Sequence, residues 1–164
     1  MNPKDWHKRS TPQQIKPLPW LAVDAIAYFE SLLNPEMVVL EHGGGGSTLW
    51  LASRVKEVIT VENNSEWYDV IAKQAPSNVT LCIDFDTDEK LDLMFIDGEP
   101  VQARGHWLDR APQLVKAGGY VVLDNANRPE YAGARAQFAK HAELLHTVTT
   151  QGGRYFVTEF WKVR

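Results

Sequence analysis

Cysteine is almost absent from this chain of 164 residues, which has only Cys82. A single cysteine excludes an internal disulfide framework and a cysteine-ligated metal cluster, and it is typical of a reducing cytoplasm. The chain also lacks any apolar run near the roughly 18 residues that cross a membrane, and its first residues do not lead into the apolar region of a signal peptide. We therefore expect a cytoplasmic protein that does not interact with a membrane.

Strong charge of either sign is missing as well. The formal net charge is -4, and the basic residues are scattered apart from a short cluster within residues 4–9. Such a chain offers little electrostatic attraction for nucleic acid, so we expect no nucleic-acid partner. The length fits one domain of ordinary globular composition. Neither length nor composition indicates an oligomeric state.

The first nineteen residues differ from the rest of the chain. Four prolines lie there among polar residues, and this pattern resists a regular helix or strand. We predict an N-terminal arm at 1–19, followed by a single domain at 20–164. With Trp6 and His7 the arm would serve as a lid over a bound ligand; the alternative is a disordered tail.

Short apolar runs alternate with segments of helical periodicity along the rest of the chain. The apolar runs predict strands at 37–40, 58–62, 79–83, 91–96, 120–123, 144–149 and 155–161. The helical spacing predicts helices at 20–33, 47–52, 66–76, 107–116 and 132–141. We expect Gly118-Gly119 to close the fourth helix and Gly152-Gly153 to form the turn of a final antiparallel hairpin. The alternation predicts an α/β fold with a mostly parallel sheet and helices on both faces.

An acidic residue ends each of the first five predicted strands, at Glu41, Glu62, Asp84, Asp97 and Asp124. Acidic residues are common at strand ends, and one such case would carry little weight. Ligands of parallel sheets bind beyond the carboxyl ends of the strands, where these five side chains would meet. Their recurrence favours a functional site at that edge.

The first of these acids opens a glycine-rich turn that runs from Glu41 to Thr48. Glycine lets the backbone turn sharply and approach a ligand closely, as in binders of phosphate, dinucleotides and S-adenosylmethionine. A phosphate-binding loop needs a lysine that is missing here, and Thr48 stands where a dinucleotide fingerprint has its third glycine. The carboxylate of Glu41 is unfavourable beside a pyrophosphate but favourable beside the positive groups of S-adenosylmethionine.

Four segments resemble, in the same order, the motifs of class I S-adenosylmethionine-dependent methyltransferases, most closely the catechol O-methyltransferase-like and caffeoyl-CoA O-methyltransferase-like branch. They are Val39-Leu40-Glu41-His42-Gly43, Val58 to Asn64, Leu91 to Asp97 and Gly118 to Asn125. The resemblance covers the chain from residue 20 to its end. It implies a Rossmann-like fold with a seven-stranded, mostly parallel sheet and a C-terminal antiparallel hairpin.

The resemblance also implies a role for particular residues toward S-adenosylmethionine. Glu41 and the glycine turn would face its methionine part, Glu62 its ribose, and the segment from Asp84 to Asp86 its adenine. The implied cofactor-binding residues are Glu41, Gly43, Gly44, Gly45, Ser47, Thr48, Glu62, Asn63, Asp84, Phe85 and Asp97.

A metal site is a further implication of the catechol-like branch, where the residues that match Asp97, Asp124 and Asn125 bind a cation such as Mg²⁺. Three oxygen ligands would suit such a cation. However, Pro100 occupies the place of that branch's lysine base. The alternative is that Asp97 lines the methyl-transfer site while Asp124 and Asn125 make loop hydrogen bonds.

The acceptor side should be built from the loops after the fourth and fifth strands. We predict Asp97, His106 and Arg104 as catalytic residues, with His106 as a general base and Arg104 as a grip for an anionic acceptor. A solvated surface role is the alternative for both. The expected activity is methyl transfer to an oxygen or nitrogen of a small molecule. A non-catalytic S-adenosylmethionine-binding module, a protein side-chain methyltransferase and a nicotinamide-dependent enzyme remain as alternatives.

Overall fold

A computed structural model describes residues 14–150 and 156–164. The helices are α1 (Val23–Leu32), α2 (Gly46–Ala52), α3 (Ser65–Ala72), α4 (Val101–Leu114) and α5 (Ala132–Phe138). The strands are β1 (Val38–His42), β2 (Glu57–Val61), β3 (Val79–Cys82), β4 (Leu91–Ile96), β5 (Val115–Leu123), β6 (Ala142–Thr150) and β7 (Phe156–Val163). A 3₁₀ turn, Pro129–Tyr131, precedes α5.

The strands form one seven-stranded sheet in the order β3-β2-β1-β4-β5-β7-β6. Strands β1 to β5 pair in parallel, whereas β7 runs antiparallel to both of its neighbours. This confirms the predicted fold class, including the closing antiparallel pair. The strand order reverses direction between β1 and β4, which is where an open α/β sheet leaves a crevice for a ligand.

Helices cover both faces of this sheet because its central strands are apolar on both sides. On one face Leu40 belongs to a buried cluster with Trp107 of α4. On the other face Val39 packs with Phe29 of α1 and Trp50 of α2. Side chains alternate between the faces of a strand, so an uninterrupted apolar run is what a strand buried on both sides requires.

The prediction for the fourth helix was wrong at its start and at its end. The helix α4 begins at Val101 rather than at Trp107, and it gives way to β5 at residue 115. The two glycines expected to close it lie inside β5. A Cβ atom on Gly119 would lie 2.7 Å from the carbonyl oxygen of Asp92, so a close approach of two strands explains this glycine.

Two predicted features fall outside the described residues. These are residues 1–13 of the arm, with Trp6 and His7, and the Gly152-Gly153 turn. Within the described part of the chain, no helix has the length and apolar character that a membrane crossing needs.

The described end of the arm packs against the domain. Ile15 is buried, and its N–H donates to Gln74 Oε1 at 2.9 Å. The carbonyl oxygens of Lys16 and Leu18 lie 2.4 Å from the position that a Cβ atom on Gly46 would take. The last residues of the arm therefore run directly over the first residue of α2, beside the glycine turn.

Candidate functional site

The acids predicted at the strand ends come together at the carboxyl edge of the sheet. Glu41 stands beside the end of β4 in the register of the sheet. The N–H of Asp97 donates to the carbonyl of His42 at 3.0 Å, and the N–H of Asp124 donates to the carbonyl of Ile96 at 3.1 Å. The strands β1, β4 and β5 thus deliver their acidic residues to adjacent positions on either side of the reversal in strand order.

Glu41 is fully buried at the end of β1. Its Oε2 accepts hydrogen bonds from the hydroxyls of Thr48 at 2.5 Å and Thr60 at 2.9 Å. Its Oε1 has no hydrogen-bond partner among the described residues. Burial raises the pKa of the Glu41 carboxyl to about 7. A buried carboxylate oxygen without a donor is costly, and the positive group of a ligand would supply that donor.

Glu62 fastens the glycine turn to the end of β2. Its Oε2 accepts the N–H of Gly44 at 2.9 Å, and its Oε1 accepts the N–H of Asn64 at 2.7 Å. Burial raises the pKa of the Glu62 carboxyl. Each carboxylate oxygen has a second lone pair, so the predicted ribose contact is compatible with these bonds and stays a prediction. The neighbouring Asn63 is exposed.

Close approach of backbone explains two of the glycines around this turn. Gly43 has a φ of +93°, and a Cβ atom there would lie 2.3 Å from the Cα of Gly98. The loops that follow β1 and β4 therefore touch, glycine against glycine. Gly45 is different, because a Cβ atom there would meet no atom of the described residues within 4 Å. The turn is packed on its inner side and open above Gly45.

Arg104 of α4 lies underneath the loops that follow β4 and β5. It is 2% exposed. Its Nε donates to the carbonyl of Gly98 at 2.9 Å, and its Nη2 donates to the carbonyl of Asp97 at 2.7 Å and approaches the Oδ1 of the same residue at 3.3 Å. Its Nη1 donates to the carbonyl of Asp124 at 2.9 Å and to Asn125 Oδ1 at 3.4 Å. The guanidinium thus joins the two loops from inside, which differs from the acceptor grip that the sequence suggested.

The loop after β5 is fixed by further contacts. Thr158 donates its hydroxyl to Asp124 Oδ1 at 2.7 Å. Asn125 has a φ of +53°, an uncommon value that asparagine tolerates better than most residues. The Tyr131 hydroxyl donates to the carbonyl of Asn125 at 2.5 Å, and Arg128 donates to Asn125 Oδ1 at 3.2 Å. Asp124 Oδ1 and Asn125 Oδ1 are therefore already engaged by protein donors.

The electrostatics of this edge are dominated by two neighbouring carboxyl groups and one cation. Burial, and then the proximity of Asp124, raise the pKa of Asp97 well above its usual range. Burial also raises the pKa of Asp124, against the lowering effect of Arg104. The side chain of Asp97 keeps 25% of its surface exposed. Asp97 is therefore the carboxyl group of this pair that reaches the open side.

One side-chain oxygen of each of the three predicted metal ligands is engaged by a protein group, which disfavours a divalent cation there. Asn125 Oδ1 and Asp97 Oδ1 face the guanidinium of Arg104, and Asp124 Oδ1 is held by Thr158. Within 14–150 and 156–164, no group of three or more histidine, cysteine, aspartate or glutamate residues is arranged to hold a metal ion. The structure gives Mg²⁺ no support.

A histidine that the sequence analysis did not single out lies beside the acceptor side of the site. His42 is 3% exposed, its ring lies 5.6 Å from that of Trp107, and its Nδ1 has no partner among the described residues. Burial lowers the pKa of His42 to about 4, so its imidazole is neutral at physiological pH. The predicted base His106 lies exposed on α4 with its ring 5.9 Å from Trp107.

The predicted adenine-binding segment follows β3 and is held against α4. Asp84 is exposed, while Phe85 packs against the core. Arg110 donates to the carbonyl of Phe85 at 3.0 Å and to Asp86 Oδ1 at 2.6 Å, and its guanidinium lies 4.9 Å from the ring centre of Trp107. The role of this segment toward adenine stays a prediction.

Comparison with known proteins finds likeness in structure alone, since no family model and no curated protein sequence matches the chain. The chain is similar to the N-methyltransferase NodS from Bradyrhizobium japonicum WM9 in complex with S-adenosyl-L-homocysteine, with a TM-score of 0.69, 13% identity, and coverage of 99% of this chain and 93% of that chain. It is similar to precorrin-6y C5,15-methyltransferase from Geobacter metallireducens GS-15, with a TM-score of 0.64, 17% identity, and coverage of 98% and 96%. It is also similar to the tRNA (m1A58) methyltransferase TrmI from Aquifex aeolicus, with a TM-score of 0.63, 20% identity, and coverage of 91% of this chain and 72% of that chain. The chain has the Rossmann-like methyltransferase fold.

Several residues that complete the site of this methyltransferase fold were not anticipated. Thr60 supports Glu41, Gly98 receives the turn at Gly43, and Thr158 holds Asp124. Thr60 had a visible signal, because it is a polar residue in the middle of the apolar run of β2. Thr158 and Gly98 had none, since their partners are set by the tertiary fold.

Proposed function

We propose that this protein binds S-adenosylmethionine and transfers its methyl group to an oxygen or nitrogen of a small molecule. One observation carries the proposal: within the part of the chain that the structure describes, the fully buried carboxylate of Glu41 keeps an oxygen without a hydrogen-bond partner beneath a glycine turn that is open above Gly45. The chain supplies this arrangement at the point where the sheet reverses its strand order. The likeness to a methyltransferase that holds S-adenosyl-L-homocysteine supports the proposal.

The charge of the turn favours a cationic ligand over a phosphate. Glu41 and Glu62 place two carboxyl groups directly under it. At an effective dielectric constant of 20, two unit charges 4 Å apart interact by about 4 kcal/mol. That energy is attractive for an ammonium or sulfonium group and repulsive for a pyrophosphate. We therefore assign the methionine end of the donor to Glu41 and its ribose to Glu62.

The acceptor would bind over the loops after β4 and β5. When bound, the donor supplies a methyl carbon that accepts a lone pair of the acceptor while its bond to sulfur breaks, which releases S-adenosylhomocysteine. The acceptor loses a proton in this step. Asp97 is the partly exposed carboxyl group on that side, and we assign it the role of accepting that proton or its hydrogen bond. Exclusion of water and alignment are the remaining contributions of the chain.

The site favours an acceptor other than a metal-bound diol, because one side-chain oxygen of each predicted metal ligand is engaged by a protein group. This departs from the catechol-like branch. A protein side chain and a non-catalytic binding module remain the alternative functions, and tRNA belongs in any acceptor panel because one similar structure is a tRNA methyltransferase. Binding without turnover on any acceptor would favour the non-catalytic module.

Isothermal titration with S-adenosylhomocysteine tests the proposal. We expect S-adenosylhomocysteine to bind to the wild type with micromolar affinity, and we expect NAD not to bind. Glu62→Ala should weaken binding by about 2 to 3 kcal/mol, the range for a lost hydrogen bond to a charged group. Glu57→Gln is the matched control, because Glu57 begins the same strand β2 at the opposite edge of the sheet. Absence of binding to folded wild type would overturn the proposal, and unchanged affinity of Glu62→Ala would remove Glu62 from the ribose role.

A further inference from the structure

A buried cation lies directly underneath the loops that carry the three predicted metal ligands. The guanidinium of Arg104 is surrounded by oxygens from the ends of two strands: the carbonyls of Asp97, Gly98 and Asp124, together with Asp97 Oδ1 and Asn125 Oδ1. All three of its nitrogens point into this set. A cluster of carbonyl and carboxylate oxygens is also what a hard divalent cation binds.

The guanidinium and a divalent cation would compete for the same oxygens. Mg²⁺ binds oxygen at about 2.1 Å, and Asp97 Oδ1 lies 3.3 Å from Nη2 of Arg104. A metal ion on that oxygen would therefore stand close to a second positive charge. Arg104 is 2% exposed, so solvent would screen this repulsion poorly. Asn125 Oδ1 has the further disadvantage that Arg128 also donates to it.

We infer that Arg104 is a positioning residue that takes the place of a divalent cation, so that the proposed methyl transfer proceeds without a metal. The guanidinium joins the loop after β4 to the loop after β5 and leaves the exposed part of Asp97 toward the acceptor. The inference deepens the proposed function by naming its acceptor class: a nucleophile with a single amine or hydroxyl at the reacting position, rather than a vicinal diol that needs chelation.

The first test measures binding of Mn²⁺ to the wild-type protein by electron paramagnetic resonance. Asp97→Asn is the control that identifies this site. We expect the wild type and Asp97→Asn to show the same Mn²⁺ binding, that is, no Mn²⁺ site that depends on Asp97. We also expect the affinity of the wild type for S-adenosylhomocysteine to be the same with millimolar Mg²⁺ and with EDTA. An Asp97-dependent Mn²⁺ site, or an affinity that rises with Mg²⁺, would overturn the inference.

The second test removes the positive charge of Arg104 and keeps the size of the side chain as far as possible. Arg104→Gln should gain Mn²⁺ affinity by about tenfold or more, because Asp97 and Asp124 then lack a positive neighbour. Arg104→Lys retains the charge and should not gain it. The double variant Arg104→Gln/Asp97→Asn should lose the gain. A merely structural role of Arg104 predicts no such pattern, and a folded Arg104→Gln without added Mn²⁺ affinity contradicts the inference.

These outcomes are separate from those of the proposed function. Mn²⁺ binding is read without any methyl donor, so a protein that fails to bind S-adenosylhomocysteine still yields a result for Arg104. The wild-type titration decides the inference even where Arg104→Gln does not fold.

Discussion

Gly45→Ala separates binding from folding at the glycine turn. The added methyl group would meet no atom of residues 14–150 and 156–164 within 4 Å, and the N–H of Gly45 would still donate to Thr48 Oγ1, a bond of 3.0 Å in the structure. We therefore expect the free energy of unfolding to change by less than about 1 kcal/mol, as for substitutions that meet no obstacle. The open space above Gly45 is where the donor would approach, so the same methyl group should obstruct it.

The expected loss of affinity follows from the cost of forcing an extra methyl group into a close contact. That cost is typically about 1 to 3 kcal/mol, which is roughly 5- to 150-fold in the dissociation constant. Gly43→Ala provides the contrast. Its φ of +93° and the 2.3 Å distance to the Cα of Gly98 predict strain of about 1 to 3 kcal/mol in addition to the steric cost. Gly43→Ala should therefore unfold more easily before any ligand is added.

Chemical denaturation and titration with S-adenosylhomocysteine are the two assays. The prediction requires Gly45→Ala to lose affinity at wild-type stability, and Gly43→Ala to lose stability. Wild-type affinity in Gly45→Ala would refute the reasoning, because the open side of the turn would then not be the side of the donor. Equal loss of stability in both variants would refute the packing analysis of the turn.

Further predictions concern titration and a buried ion pair. The pKa of His42 is lowered to about 4, so this residue should reduce the free energy of unfolding by about 3 kcal/mol as the pH falls from 6.5 to 4. Denaturation curves of His42→Asn should lack this part of the acid sensitivity. The pKa of Glu41 is raised to about 7, so its contribution to stability is present below pH 4.5 and is lost as the pH rises through 7. Glu41→Gln should therefore make the free energy of unfolding of the ligand-free protein less dependent on pH in this range. Arg135 forms a bidentate pair with Glu159, and Glu159 is 3% exposed. Arg135→Met should cost about 3 kcal/mol of unfolding free energy, because it leaves the buried carboxylate without its cation and with the Trp161 N–H as its remaining described donor. If thermal denaturation gave Arg135→Met the same stability as the wild type, this prediction would be wrong.

The sheet was predictable because its strands are short and continuously apolar. A run such as Leu93 to Ile96 is buried on both faces, and only a covered parallel sheet accommodates it. The start of α4 was missed for the opposite reason. Its first turns, from Val101 to His106, carry no regular apolar face in the sequence, since one of the two buried residues of this part is the charged Arg104.

The site was predictable in its acids and less so in their partners. Strand ends at the carboxyl edge converge in any parallel sheet, so the adjacency of Glu41, Asp97 and Asp124 followed from their order alone. The direction in which a long side chain points does not follow from order. Arg104 was expected to reach outward to an acceptor, and it reaches inward, where the carbonyls of Asp97, Gly98 and Asp124 accept its N–H groups.

The inward direction of Arg104 changes what the acceptor side presents to a ligand. Its positive charge is compensated by the oxygens of the two loops, whereas Asp97 and Glu99 retain exposed carboxylate surface on the acceptor side. An acceptor that carries a carboxylate or phosphate near the reacting atom would face two acids of its own sign. A neutral or cationic nucleophile, such as an amine, would be drawn toward them. We therefore expect the charge distribution of the two loops to favour an amine or a single hydroxyl, and we propose that the glycine turn holds the donor by the same attraction of carboxylates for positive charge.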